Sequence, residues 1–253
     1  MRRFVAALRF LTILPLPTQY GSSESDLRGS VVCFPLIGLL IGGVGAGLAW
    51  ILWQVFPALP AGMLIVIFLL AVSGGFHLDG LSDTADGFLS SRPRDRILEI
   101  MKDSRVGAMG VIAVVCVLGL KTAALGSLNA STAWRAVVLM PLAGRCLMVV
   151  NMTLLPYARR EGGLGNLFYE KRSWVNVIWA LAVLGLAGWL VAGVAGLVAV
   201  GISTGTGLIF AVYSYRKIGG ATGDTLGASC EIVETISALI FAAGPVQTLL
   251  GLR

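Results

Sequence analysis

The chain has 253 residues, 57% of them hydrophobic and only 13% charged. Soluble domains carry about a quarter charged residues, so this composition argues against an ordinary water-soluble fold and for a polytopic membrane protein. The net charge of +6 would suggest a nucleic-acid partner in a soluble protein; here the charges cluster between apolar runs, so topology accounts for them and no nucleic acid is expected.

The opening stretch MRRFVAALRFLTILPLP joins a charged start to a short apolar run. Its prolines and the missing small-residue cleavage site speak against a signal peptide, and a helix lying in the membrane interface fits better. A bilayer core requires about 20 apolar residues per helix. Expected crossings are 31–56, 61–76, 106–128 and 133–155, then a tract over 174–213, and finally 227–250. The 174–213 tract is too long for one crossing and should divide near Gly193 and Gly196. The expectation is an all-α bundle of about seven transmembrane helices plus the interfacial helix, a single domain over 1–253, with the second crossing short. Four cysteines, Cys33, Cys116, Cys146 and Cys230, lie far apart inside apolar runs with no CxxC pair, so neither a disulfide framework nor a zinc site is expected.

The intervening loops alternate. Residues 57–60, 129–132 and 193–196 carry no charge, whereas the N-terminus, 77–105, 156–173 and 214–226 are all charged. Cytoplasmic loops collect Lys and Arg, so the charged set should face the cytoplasm, with the N-terminus inside and the C-terminus outside. Trp50, Trp53 and Phe56 would mark one interface and Trp174 the other. Small-residue spacings at Gly38/Gly42, Gly43/Gly47 and Gly201/Gly205 read as close helix packing.

Four blocks on the charged side carry the chemistry. GGFHLDGLSDTADGF, residues 74–88, places Asp79, Asp83 and Asp86 at i, i+4, i+7, within roughly 60° of one helical face. Like charges so spaced repel, and near lipid the cost rises, so a cation should share the face. Oxygen-only ligands suit Mg²⁺, which takes one or two carboxylates plus substrate phosphates. The competing reading is a solvated acidic helix end. SRPRDRILEIMKDSRVGAMG, residues 91–110, mixes Glu99 and Asp103 with Arg92, Arg94, Arg96, Lys102 and Arg105. It is either a salt-bridged surface helix or a source of phosphate clamps. YARREGGLGNLF, residues 157–168, resembles a flexible anion loop bearing Arg159 and Arg160, though glycine clusters alone are weak evidence. RKIGGATGDTLGASCEIVE, residues 216–234, puts Asp224 after a glycine turn at the start of the last crossing and Glu231 and Glu234 about one and two turns inside the apolar helix. Intramembrane carboxylates are costly and default to function. Arg145, mid-helix, is a candidate partner for one of them. Lys121 and Arg135 read as snorkelling near the opposite surface.

These four stretches, together with FPLIGLLIG at 34–42, resemble the cobalamin synthase family, the adenosylcobalamin 5′-phosphate synthases, in order over about residues 4–250. The resemblance implies an integral membrane enzyme of the bacterial cell membrane. Adenosylcobinamide-GDP and α-ribazole, or its 5′-phosphate, become adenosylcobalamin, or its 5′-phosphate, and GMP, with Mg²⁺ required. On this reading Asp79, Asp83, Asp86 and Asp103 take Mg²⁺, and Asp224 with Glu231 or Glu234 completes the metal site or acts on the incoming hydroxyl. Lys102, Arg105, Arg159, Arg160 and Arg145 face substrate. His77, the lone histidine, binds substrate or caps its helix. A homo-oligomer is left open. Two other classes stand beside this one: a CDP-alcohol-type phosphotransferase, whose D-x2-DG-x2-AR run is absent, and a cation or proton transporter using Glu231, Glu234 and Arg145 as a relay.

Overall fold

The computed structural model describes residues 1–16, 19–159, 167–169 and 173–251. Among these the only extended pairing is an isolated bridge between Tyr157 and Ala221; every regular element is helical. Helix α1 (Arg2–Leu11) turns Ala6, Ala7 and Leu11 inward and keeps its arginines on the other face, as an interfacial helix should. A short helix α2 (Glu24–Arg28) and a 3₁₀ turn at Gly29–Cys33 lead into α3 (Phe34–Val55). Pro35 in the first turn of α3 costs nothing there, because its missing N–H would have had no partner.

Helix α4 (Ala58–Ser73) has 16 residues, about 24 Å at 1.5 Å per residue, short for a bilayer core of about 30 Å. Gly74 and Gly75 follow with φ of 61° and 74°, a left-handed pair that glycine adopts without a Cβ clash. The chain therefore turns by 91° into α5 (Phe76–Phe88). We read α4 as the short crossing and α5 as running over the charged end of the bundle, outside the spanning segments. Helix α6 (Arg94–Ile100) stays at that end; α7 (Ala108–Gly126) crosses away from it and α8 (Ala130–Leu154) returns.

Helix α9 (Trp174–Ile218) is 45 residues long, roughly twice what a bilayer needs. Gly193 breaks it, at φ 56° and ψ −132°, a conformation open essentially to glycine alone. A Cβ on Gly196 would overlap the carbonyl of Gly188. In a straight helix those residues would stand about 12 Å apart, so the tract folds back on itself into two arms, 174–192 and 194–218. Helix α10 (Gly223–Ala242) makes the last crossing, and Pro245 opens the short α11 (Gly244–Leu249). Five helices are long and apolar enough to cross a membrane alone, six with the bent α4–α5 pair. Counting the two arms of α9 separately gives the seven expected crossings. The last one begins and ends earlier than its hydropathy indicated, because Thr222 and Thr225 cap each other at its start and Pro245 cannot continue it.

Helix α8 is the centre of the bundle. From Ala136 to Met152 every residue is buried, and α3, α9 and α10 all pack on it. Gly38 and Gly42 of α3 lie against the backbone at Val138, Pro141 and Leu142, the close approach their spacing predicted. Gly43, Gly47, Gly201 and Gly205 have open space where a side chain would go. Those two spacings therefore do not mark contacts within this chain.

Candidate functional site

The charged loops meet at one end. The Arg94 guanidinium donates to the carbonyls of Ile218, at 2.7 Å, and Ala158, at 2.8 Å. Lys217 Nζ donates to the carbonyl of Phe88 at 2.7 Å. These cations tie α6, the end of α9 and the end of α5 together; Arg94 is thereby occupied with backbone rather than free as a phosphate clamp.

Gly80 allows α5 to lie directly on the backbone of Asp224, and Gly227 lies on that of His77. The two glycines bring the acidic face of α5 against the first turns of α10. Burial first, then the charges of Asp79, Asp224 and Asp86, lift the Asp83 carboxyl from 3.8 to about 7, with Arg159 opposing. Four carboxylates thus feel one another, as the i, i+4, i+7 spacing required. The carboxylates of Asp79 and Asp83 accept no hydrogen bond among the described residues. Asp224 accepts from Arg159 Nη2 at 2.6 Å and from Thr222 Oγ1 at 3.3 Å. A pocket of about 280 Å³ opens beside this pair, lined by Arg94, Asp95, Leu98, Glu99, Lys102, Ala158 and Arg159.

Asp86 has a different position from its two neighbours. Its Oδ2 accepts the Gly107 N–H at 2.7 Å and its Oδ1 the Gly110 N–H at 2.8 Å. It caps the N-terminus of α7 from another helix, where a negative charge meets the helix dipole. Asp103 is on the surface, held by Arg105 Nη2 at 2.6 Å, and that guanidinium lowers its carboxyl to about 2. The two residues assigned to metal and phosphate therefore bind each other. Arg160 lies outside the described residues.

Glu231 and Glu234 form a second site deeper in the bundle. Lys121 Nζ donates to both, at 2.7 Å each. Arg145 pairs with Glu234 and reaches His77 Nδ1 at 3.3 Å. All five residues are buried. Two cations and two carboxylates cancel, which is what makes them tolerable in a low-dielectric interior. The placement corrects one expectation: Lys121 does not snorkel to the far surface but turns inward from α7 to α10. A lysine within an apolar run, facing no water, needed an acidic partner, and Glu231 and Glu234 were the candidates. Arg145 is likewise a partner of Glu234.

The matching family model is described as cobalamin-5-phosphate synthase and spans residues 3–242. The chain belongs to the cobalamin-5-phosphate synthase family. Proteins named adenosylcobinamide-GDP ribazoletransferase are similar over nearly the whole length. That of Roseiflexus sp. is 42% identical, covering 96% of this chain and 90% of its own. That of Herpetosiphon aurantiacus is 42% identical over 96% and 97%, and that of Acetivibrio thermocellus 36% over 95% and 97%. No solved structure matches.

For a member of this synthase family the donor set can be tested for Mg²⁺. Among the described residues no three acidic, histidine or cysteine side chains converge into a finished metal site. Asp79, Asp83 and Asp224 nonetheless present oxygen only, and a cation of this kind fills its remaining positions with water and substrate phosphates. The fit is therefore to a two-carboxylate platform completed by water and substrate phosphates. Asp86 accepts from two backbone N–H groups, Asp103 pairs with Arg105, and Glu231 and Glu234 pair with Lys121 and Arg145.

Proposed function

We propose that this chain joins adenosylcobinamide-GDP to α-ribazole, or its 5′-phosphate, giving adenosylcobalamin, or its 5′-phosphate, and GMP. The observation that carries the reading at the level of chemistry is the carboxylate pair Asp79 and Asp83, without hydrogen-bond partners among the described residues, beside the Asp224–Arg159 ion pair. Acids alone would repel the substrate; acids beside an arginine and a basic pocket suit a diphosphate. In the reaction an acceptor hydroxyl forms a bond to the phosphorus on the cobinamide side. The phosphoanhydride bond to GMP breaks, and the hydroxyl proton passes to a carboxylate within hydrogen-bond reach. Mg²⁺, held by the Asp79 and Asp83 pair, would neutralise phosphate charge. Arg159 orients the diphosphate, and Lys102 lines the pocket from which it approaches. The charged end faces the cytoplasm of a bacterial inner membrane, by the bias of Lys and Arg toward one set of loops.

The test is turnover by the purified chain in phospholipid vesicles. Adenosylcobinamide-GDP and α-ribazole should yield GMP with Mg²⁺ present and none after chelation. Release of CMP from a CDP-alcohol donor, or ion flux with no nucleotide released, would move the chain to one of the other classes.

A further inference from the structure

An open groove of about 630 Å³ lies between α5 and α7, with Asp79 at one end. Its walls are Phe76, Leu78, Val111 and Val115, and its polar end holds Asp79 and Ser82. Phe76, Val111 and Val115 are exposed along it, Phe76 packing edge-on to Phe10 and the two valines lying on the crossing helix α7. Ser82 is the reverse: it is only 5% exposed, and its hydroxyl has no hydrogen-bond partner. A buried hydroxyl without a partner costs free energy comparable to a lost hydrogen bond. A ligand bearing a hydroxyl or sugar oxygen would supply what is missing.

We infer that this groove is the binding site of the nucleoside acceptor, with the apolar base against Phe76, Val111 and Val115 and the sugar at Ser82 and Asp79. The inference rests on the proposed function and assigns its two reactants to different sides of the aspartates. Ligand sites of this size, roughly 300–1,000 Å³, are mostly apolar with a few placed polar groups. A nucleoside has that division of chemistry and that bulk. The donor's diphosphate needs cations, which the groove lacks. The other pocket has them, in Lys102 and Arg159. Asp79 lines the groove and acts electrostatically on Asp83, so an acceptor hydroxyl at this end would lie beside the site where the diphosphate is held.

The experiment is a steady-state comparison in vesicles of the wild type with Val111→Trp, Val115→Trp and Ser82→Ala. Each tryptophan fills the groove from the exposed side of α7 without touching an acidic residue. The expected result is a KM for α-ribazole raised about tenfold, the size of one lost contact worth a factor of ten in affinity. The KM for adenosylcobinamide-GDP should stay within about twofold, and that constancy also reports an intact fold. Calorimetric titration of α-ribazole alone should show the same loss in the tryptophan variants. Unchanged KM for α-ribazole in both tryptophan variants overturns the assignment, as does an equal rise for both substrates. Competition between added phospholipid and α-ribazole that disappears on filling the groove would make bilayer lipid the occupant and also overturn it. A wild type that makes GMP, with tryptophan variants that show no split between the two KM values, discards the groove alone. A wild type that makes no GMP discards the functional reading and the groove with it.

Discussion

Asp83 and Asp86 are three residues apart on one helix and have opposite surroundings. The Asp83 carboxyl sits among like charges, with no hydrogen-bond donor of its own. Asp86 is satisfied by two backbone N–H groups of α7. Substitution should separate them. Asp83→Asn relieves repulsion, so thermal unfolding should occur at the same temperature or higher, while GMP release falls by about a hundredfold or more. Asp86→Ala leaves the Gly107 and Gly110 donors without acceptors and should lower stability by about 1–3 kcal/mol. Its Mg²⁺ concentration for half-maximal turnover should be unchanged. A matching loss of metal affinity in both variants would return Asp86 to the ligand set. The deeper quartet makes a second residue-scale prediction. Lys121→Met leaves two buried carboxylates against one arginine and should cost about 3–5 kcal/mol. Adding Glu231→Gln restores neutrality, so the double variant should recover part of that loss. The coupling, read from thermal melts of all four proteins, should be about 0.5–3 kcal/mol.

Helices here are ordered by how closely backbones approach. Gly42 rests on the backbone of Val138, whereas the next residue, Gly43, faces open space. Gly42→Leu would push α3 off α8 and should destabilise by several kcal/mol, as overpacking a tight contact does. Gly43→Leu should shift stability by no more than about 0.5 kcal/mol, measured by thermal unfolding in the same detergent. Equal effects would mean that the α3–α8 contact is not the tight one. The spacing of four was legible in the sequence for both glycine pairs on α3, yet only one pair meets a neighbour. Spacing defines a helical face; it does not say whether that face looks at protein or at lipid. The same limit applied to Lys121: thirteen residues into α7, its depth was visible, but the direction of its side chain was not.

For the whole molecule, seven crossings place the two ends of the chain on opposite sides. With the exposed native Cys116 replaced by serine, Ser22→Cys and Asn129→Cys should be labelled by a membrane-impermeant thiol reagent from opposite sides of a sealed vesicle. Labelling from the same side would remove one crossing. The crossing count, the split near Gly193 and the gathering of charged loops were readable because a bilayer imposes length and hydropathy on each segment separately. The aspartate face of α5 was readable for a similar local reason, the helical period. What only the tertiary structure decided was which charges meet. Seven carboxylates were candidates for one cation. Folding brought Asp79, Asp83 and Asp224 into one electrostatic neighbourhood, turned Asp86 into a cap for α7, left Asp103 with Arg105 at the surface, and sent Glu231 and Glu234 to Lys121 and Arg145. Those pairings link α5 to α7 and α7 to α10, across 21 to 113 positions of sequence. Hydropathy and periodicity act within a segment, whereas Coulomb attraction and hydrogen bonding act between whichever segments packing has made neighbours.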